Sequence, residues 1–145
     1  MTIVGGTVPL RAGPDGRVAA ASLVYGPEGR RTARYDKIHL FDVDLPSGES
    51  YRESRTVQPG AEAVVVSLPW GRLGLTVCYD LRFPQLYRTL AKAGAEILTV
   101  PSAFTETTGK AHWHVLLRSR AIEKDRKSTR LNSSHIDRSR MPSSA

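Results

Sequence analysis

The sequence predicts an α/β fold. Three observations carry that expectation. The first half has the turn chemistry of β-hairpins. The run Leu73-Gly-Leu-Thr-Val77 is almost wholly apolar, which suits a strand buried on both faces. Residues 72–123 then alternate strand, helix, strand, helix, the pattern of a βαβ unit followed by a helix. In order, Ile3 to Leu10 reads as a short strand entering a turn at Pro9. Val18 to Tyr25 reads as a second strand. Gly26-Pro27-Glu28-Gly29 is its turn, with Pro presetting φ and Gly tolerating positive φ. The chain returns through Arg30 to Tyr35, so 18–36 is a hairpin. Asp36 to Phe41 leads into a polar loop, 44–60, of the length that is usually functional. Ala63 to Leu68 and Arg72 to Val77 form another hairpin around Pro69-Trp70-Gly71. Pro84 opens a helix, where its missing N–H is harmless. Leu86, Tyr87, Leu90, Ala91 and Ala93 give that helix one apolar face, and Gly94 caps it. Ala95 to Val100 is the next strand, closed by Pro101. A second helix follows at about 110–123, with Trp113, Leu116, Leu117 and Ala121 on one side.

Composition narrows the function classes. The 145 residues carry 21 Lys+Arg against 14 Asp+Glu, net +7, with 40% hydrophobic residues. No apolar run approaches the ~20 residues that span a bilayer, and the N-terminus lacks the pattern of a signal peptide. A soluble, cytoplasmic protein with no membrane partner is the expectation. The single cysteine, Cys78, leaves no intrachain disulfide and no Cys-only zinc site. His112 and His114 bracket Trp113 at i, i+2, the wrong spacing for a helical metal pair. No glycine-rich phosphate loop is present, so neither metal nor cofactor is expected.

The basic excess invites a nucleic-acid reading. Nearly half of it, +3 of +7, falls in residues 125–145. That segment is rich in Ser and Arg, lacks aromatics and shows no period, so it cannot offset its ordering entropy. Asp125 to His135 and Ser139 to Ala145 resemble a translated sequencing adapter. The expected division is therefore 1–124 as the central part of one domain and 125–145 as a non-native, disordered tail. Residues 1–124 show neither a basic helix stripe nor an aromatic platform for bases, so no nucleic-acid partner is expected.

Three residues stand out chemically. Cys78 ends a buried strand just before a turn and a helix, where open α/β sheets bind ligands. A tight turn there presents a nucleophile, and the following backbone N–H groups can face an oxyanion. Lys37, after Arg34-Tyr35-Asp36 and before apolar Ile38, offers a cation for the same oxyanion; an edge-strand lysine is the plainer reading. Glu53 sits in the long loop, where most glutamates are merely solvated. His39 reads as structural.

Together these positions resemble the nitrilase, or carbon–nitrogen hydrolase, superfamily. Tyr35-Asp-Lys-Ile-His-Leu-Phe-Asp42 resembles its lysine motif and Gly74-Leu-Thr-Val-Cys-Tyr-Asp-Leu-Arg-Phe-Pro84 its cysteine motif. Pro101-Ser-Ala-Phe104, Thr108-Gly109 and Ala111 through Glu123 resemble the segment that follows. The likeness is greatest to the Nit branch, whose members act on deaminated glutathione or on ω-amides of 2-oxo acids. The resemblance implies a partial αββα sandwich, incomplete at both ends, and a Glu-Lys-Cys amidase mechanism. Cys78 would form an acyl thioester. Lys37 and the Tyr79 N–H would hold the oxyanion, and Glu53 would position the lysine. Ala103 and Phe104 would line the acyl pocket, with Tyr79. A small-molecule amide substrate and a homodimeric or larger assembly are implied with them. The family's general-base glutamate lies upstream of where this sequence starts, so this chain alone is expected to be inactive. The rival readings are an N-carbamoyl amino-acid hydrolase of the same superfamily and a catalytically dead member acting as an interaction module.

Overall fold

The computed structural model describes residues 1–45, 48–104 and 108–123, together with the backbone of 130–132. Three strands, β1 (Ile3–Arg11), β2 (Val18–Tyr25) and β3 (Arg31–Asp36), form an antiparallel sheet in the order β1-β2-β3. Central β2 buries Ala19, Ala21, Leu23 and Val24, so small and branched residues sit where neighbours crowd in. The β2–β3 turn closes where the sequence places it, with Gly26 N–H donating to Arg30 O (2.9 Å) and Gly29 N–H to Gly26 O (3.0 Å).

β1 runs on through Pro9, where the sequence reading places a turn, to Arg11, and Pro9 pairs with Ala20. The polar loop is a further departure. It contains a hairpin of β4 (Asp42–Asp44) and β5 (Ser50–Arg52), then a 3₁₀ turn at Glu53–Arg55. Three-residue strands are too short to show alternation. This hairpin is held by charge instead: Arg52 Nη2 reaches both Asp44 oxygens at 2.7 and 2.9 Å.

The second sheet runs β6-β7-β8-β9. β6 (Val64–Leu68) and β7 (Gly71–Leu75) form the expected hairpin. β8 (Ile97–Thr99) lies parallel to β7, reached through α1 (Pro84–Lys92), so the βαβ unit is present. α1 buries Leu86, Tyr87 and Leu90. It ends in a Schellman motif: Ala95 N–H donates to Leu90 O and Gly94 N–H to Ala91 O, both 2.9 Å, with Gly94 at φ +86°. Gly74 is required by contact. A Cβ there would lie 2.8 Å from Leu98 Cδ2 and 3.4 Å from Leu90 Cδ1. By strand alternation Leu73 and Leu75 occupy the opposite face of β7. They belong to one buried cluster with Val24 and Tyr35 of the first sheet and Leu86, Tyr87 and Leu90 of α1. That cluster unites both sheets and the helix.

The second helix begins differently from the sequence expectation. A π turn at Gly109–Trp113 precedes α2 (His114–Ile122). Trp113 and Arg120 are buried, while Leu116, Leu117 and Ala121 are half-buried. Finally, β9 (Arg130–Asn132) pairs parallel with β8, where the sequence reading expects a wholly disordered tail. The outer edge of β8 offers unpaired N–H and C=O groups, and backbone pairing asks little of side-chain identity. The rest of the 125–145 segment lies outside the described residues. Among the described residues no helix is long and apolar enough to cross a membrane.

Candidate active site

Cys78 opens a 3₁₀ turn, Cys78–Arg82, three residues past the end of β7. Its φ is +47°, the left-handed region that a side chain rarely adopts. Its N–H donates to Pro101 O at 2.9 Å, which ties the turn to the segment leaving β8. The thiol is thus presented on a strained turn at the C-terminal ends of two parallel strands, as the sequence position implies.

Lys37 follows β3 directly. Its N–H donates to Ala20 O (3.0 Å) and its carbonyl accepts Gly60 N–H (2.9 Å), so its backbone is pinned from two sides. The side chain is only 4% exposed, and Nζ lies 2.6 Å from Glu53 Oε2. The same oxygen accepts Phe41 N–H at 2.6 Å. A buried ammonium without a partner would be prohibitive; Glu53 supplies the partner, and the amide of Phe41 fixes the carboxylate.

These side chains converge on one cleft of about 430 Å³. Cys78, Lys37, Glu53, Tyr79, Ala103 and Phe104 all line it. Phe41, Tyr51, Arg52, Arg82 and Thr108 line it too, and the sequence reading singled out none of these as site residues. Their signal was proximity: Phe41 lies four residues after Lys37, Arg82 four after Cys78, and Tyr51 and Arg52 just before Glu53. The Phe41 ring packs on Tyr51 (5.2 Å) and edge-on to Tyr79 (5.1 Å). Arg82 lies over two rings, Tyr79 at 5.7 Å and Phe104 at 5.6 Å. Arg52 is neutralised by Asp44. Arg82 contacts His112 Nδ1 at 3.2 Å and has no carboxylate partner among the described residues.

Behind the cleft lies Asp80, fully buried. It accepts hydrogen bonds from Tyr35, His39 and Val77. Burial first, and the Asp80 charge next, hold the Tyr35 phenol far above its ordinary range, so it stays a neutral donor. Tyr87 is likewise raised, by burial, although its hydrogen bond with Thr76 opposes the shift. Among the described residues no group of three or more His, Cys, Asp or Glu is placed to hold a metal ion.

The same chain is similar to known proteins in sequence and in fold. Deaminated glutathione amidase of Yersinia enterocolitica is 54% identical over 121 residues, covering 81% of this chain and 42% of that protein. Omega-amidase NIT2 of Homo sapiens is 41% identical over 121 residues, covering 83% of this chain and 43% of that one. The crystal structure of the C. elegans NitFhit protein matches with a TM-score of 0.83 at 37% identity, covering 93% of this chain and 32% of that one. The chain therefore spans less than half the length of these proteins. The family described as carbon-nitrogen hydrolase matches residues 1–133, a stretch that contains the whole cleft. On that match and these likenesses, the chain belongs to the carbon-nitrogen hydrolase family.

Proposed function

We propose that the protein is an amidase that cleaves the C–N bond of a small, carboxylate-bearing amide through a Cys78 thioester. The observation that carries this is the convergence of Cys78, Lys37 and Glu53 on one cleft. Cys78 Sγ attacks the amide carbonyl carbon, and the carbonyl electron pair moves onto oxygen. Lys37 Nζ and the Tyr79 N–H stabilise that oxyanion. Its collapse breaks the C–N bond and releases ammonia, leaving an acyl thioester; water then adds and releases the carboxylic acid and the thiol. Glu53 orients the lysine, because one of its oxygens holds both Lys37 Nζ and Phe41 N–H. Tyr79, Ala103 and Phe104 bound the acyl group. Arg82, held over two rings, is the cation available to a substrate carboxylate.

Proton transfer to the leaving amine needs a second carboxylate, since Glu53 is already engaged. The described cleft supplies none, which fits the upstream glutamate that the family resemblance implies. Ammonia-releasing turnover thus belongs to the full-length protein; the described residues supply nucleophile, oxyanion stabilisation and substrate binding. The two proteins similar in sequence, from Yersinia enterocolitica and Homo sapiens, are both named amidases, which favours this reading over N-carbamoyl hydrolysis. The intact Cys-Lys-Glu set favours it over a dead interaction module.

Ammonia release in the full-length protein tests it, using a dicarboxylic acid monoamide against the uncharged amide of equal length. A charge-assisted hydrogen bond to Arg82 should favour the monoamide by ~10-fold or more in kcat/KM. Cys78→Ala should abolish release and Arg82→Ala should erase the preference. Equal turnover of the two amides would overturn the substrate class, and ammonia release by Cys78→Ala would overturn the mechanism.

A further inference from the structure

Asp80 lies two residues after Cys78 and is fully buried. Its Oδ2 accepts the Tyr35 hydroxyl (2.6 Å) and Val77 N–H (2.8 Å). Its Oδ1 accepts His39 N–H (3.1 Å) and lies 2.7 Å from His39 Nδ1. Tyr35 and His39 flank Lys37 by two residues on either side, and Val77 directly precedes Cys78. One carboxylate therefore joins the lysine-bearing segment to the cysteine-bearing turn. The far end of the turn is held by the same histidine. The His39 ring stacks on Phe83 with centroids 3.7 Å apart at 10°, and Phe83 meets Tyr79 edge-on at 5.5 Å.

We propose that Asp80 and His39 are a positioning pair that fixes Lys37 and the Tyr79 N–H relative to Cys78. The inference rests on the amidase reading above. A buried carboxylate needs hydrogen-bond partners wherever it sits. Here those partners come from the residues that bracket the lysine and the nucleophile. Oxyanion stabilisation is demanding: a displacement of ~1 Å lowers rate by ~100-fold. Neither Asp80 nor His39 lines the cleft, so both act through the groups they hold.

Two reactions of Cys78 separate positioning from packing in the 145-residue chain. With p-nitrophenyl acetate, Sγ bonds the carbonyl carbon, a tetrahedral oxyanion forms, and its collapse breaks the ester C–O bond. p-Nitrophenolate leaves as the anion, so no proton donor is needed. With iodoacetamide, Sγ displaces iodide and no oxyanion forms. The ratio of the two rates reads oxyanion positioning, and loss of fold would move both. The single cysteine makes both products unambiguous by intact mass. Lys37→Met calibrates the ratio. His39→Leu should lower the ratio by ~10-fold or more while alkylation stays within ~3-fold. His39→Asn, whose amide nitrogen takes the place of Nδ1, should restore the ratio to within ~3-fold of the parent. If His39→Leu does not fold, His39→Gln decides, because its amide nitrogen takes the place of Nε2 and loses the Asp80 bond. An unchanged ratio in Lys37→Met would sink the amidase reading and this inference with it. A lowered ratio in Lys37→Met with unchanged ratios in His39→Leu and His39→Gln would overturn this inference alone.

Discussion

Single side chains carry the tension in this cleft. Cys78 adopts φ +47°, and for an L-residue that conformation costs about 1–2 kcal/mol. Glycine is free of most of that penalty. Cys78→Gly should therefore be more stable than Cys78→Ala by about 1 kcal/mol, read from urea midpoints at constant slope. Lys37 and Glu53 are coupled the other way. With Lys37 only 4% exposed, Glu53→Ala leaves a buried ammonium unpaired and should cost about 3 kcal/mol or more. Adding Lys37→Met should recover much of that loss; a double variant no more stable than Glu53→Ala would contradict the account. That Cys78 and Lys37 would meet at one cleft was legible because each sits at a strand end with a recognisable neighbourhood. Asp80 was not, because its partners Tyr35 and His39 are 45 and 41 residues away in sequence and only the fold brings them together. Arg82 was missed because a basic residue in a turn reads as solvated until the rings around it are seen.

The strands and helices divide by length. The βαβ unit was legible in the apolar run of β7, the proline at the start of α1 and the glycine at its end. β4 and β5 were not, because each has three residues and their cohesion is electrostatic. That origin has a pH consequence. The Asp44 carboxyl is held below its ordinary range by the Ser50 hydroxyl first and by Arg52 next. Asp42 is lowered by the hydroxyl and then the N–H of Ser54. A group with a depressed folded value stabilises the structure above its unfolded value, near 3.8 here, and that contribution is lost as pH falls through the folded one. The hairpin should hold at neutral pH and loosen below about pH 4. Amide hydrogen exchange over 42–52, normalised for its intrinsic pH dependence, checks this; unchanged protection down to pH 2.5 would contradict it. Gly74→Ala tests the β7–α1 contact. Its Cβ would meet Leu98 Cδ2 at 2.8 Å, so the variant should lose about 1–3 kcal/mol through overpacking.

For the whole molecule, one apolar cluster joins both sheets and α1, and Tyr35 stands in it fully buried. Burial raises the phenols of Tyr35 and Tyr87. In the unfolded chain they ionise near pH 10. The folded state then holds protons that the unfolded state gives up. Their contribution is complete below pH 10 and is lost as pH rises above it. Alkaline unfolding should follow, with phenolate absorbance from these two appearing only as circular dichroism is lost. Phenolate from Tyr35 in a still-folded protein would contradict that. The α/β class was legible at this scale; the net charge of +7 is a weaker guide, because nearly half of it belongs to 125–145. We propose that this segment is not native to the protein, and that the pairing of 130–132 with β8 is backbone pairing at an open sheet edge.

The most direct measurement of the central claim is the site of acylation. The chain is incubated with p-nitrophenyl acetate and examined by intact mass and peptide mapping. One acetyl group should appear on Cys78 and be removed by hydroxylamine. It should be absent at that position in Cys78→Ala and form more slowly in Lys37→Met. An acetyl group on another residue while Cys78 stays free, or equal rates with and without Lys37, would contradict a lysine-assisted cysteine nucleophile.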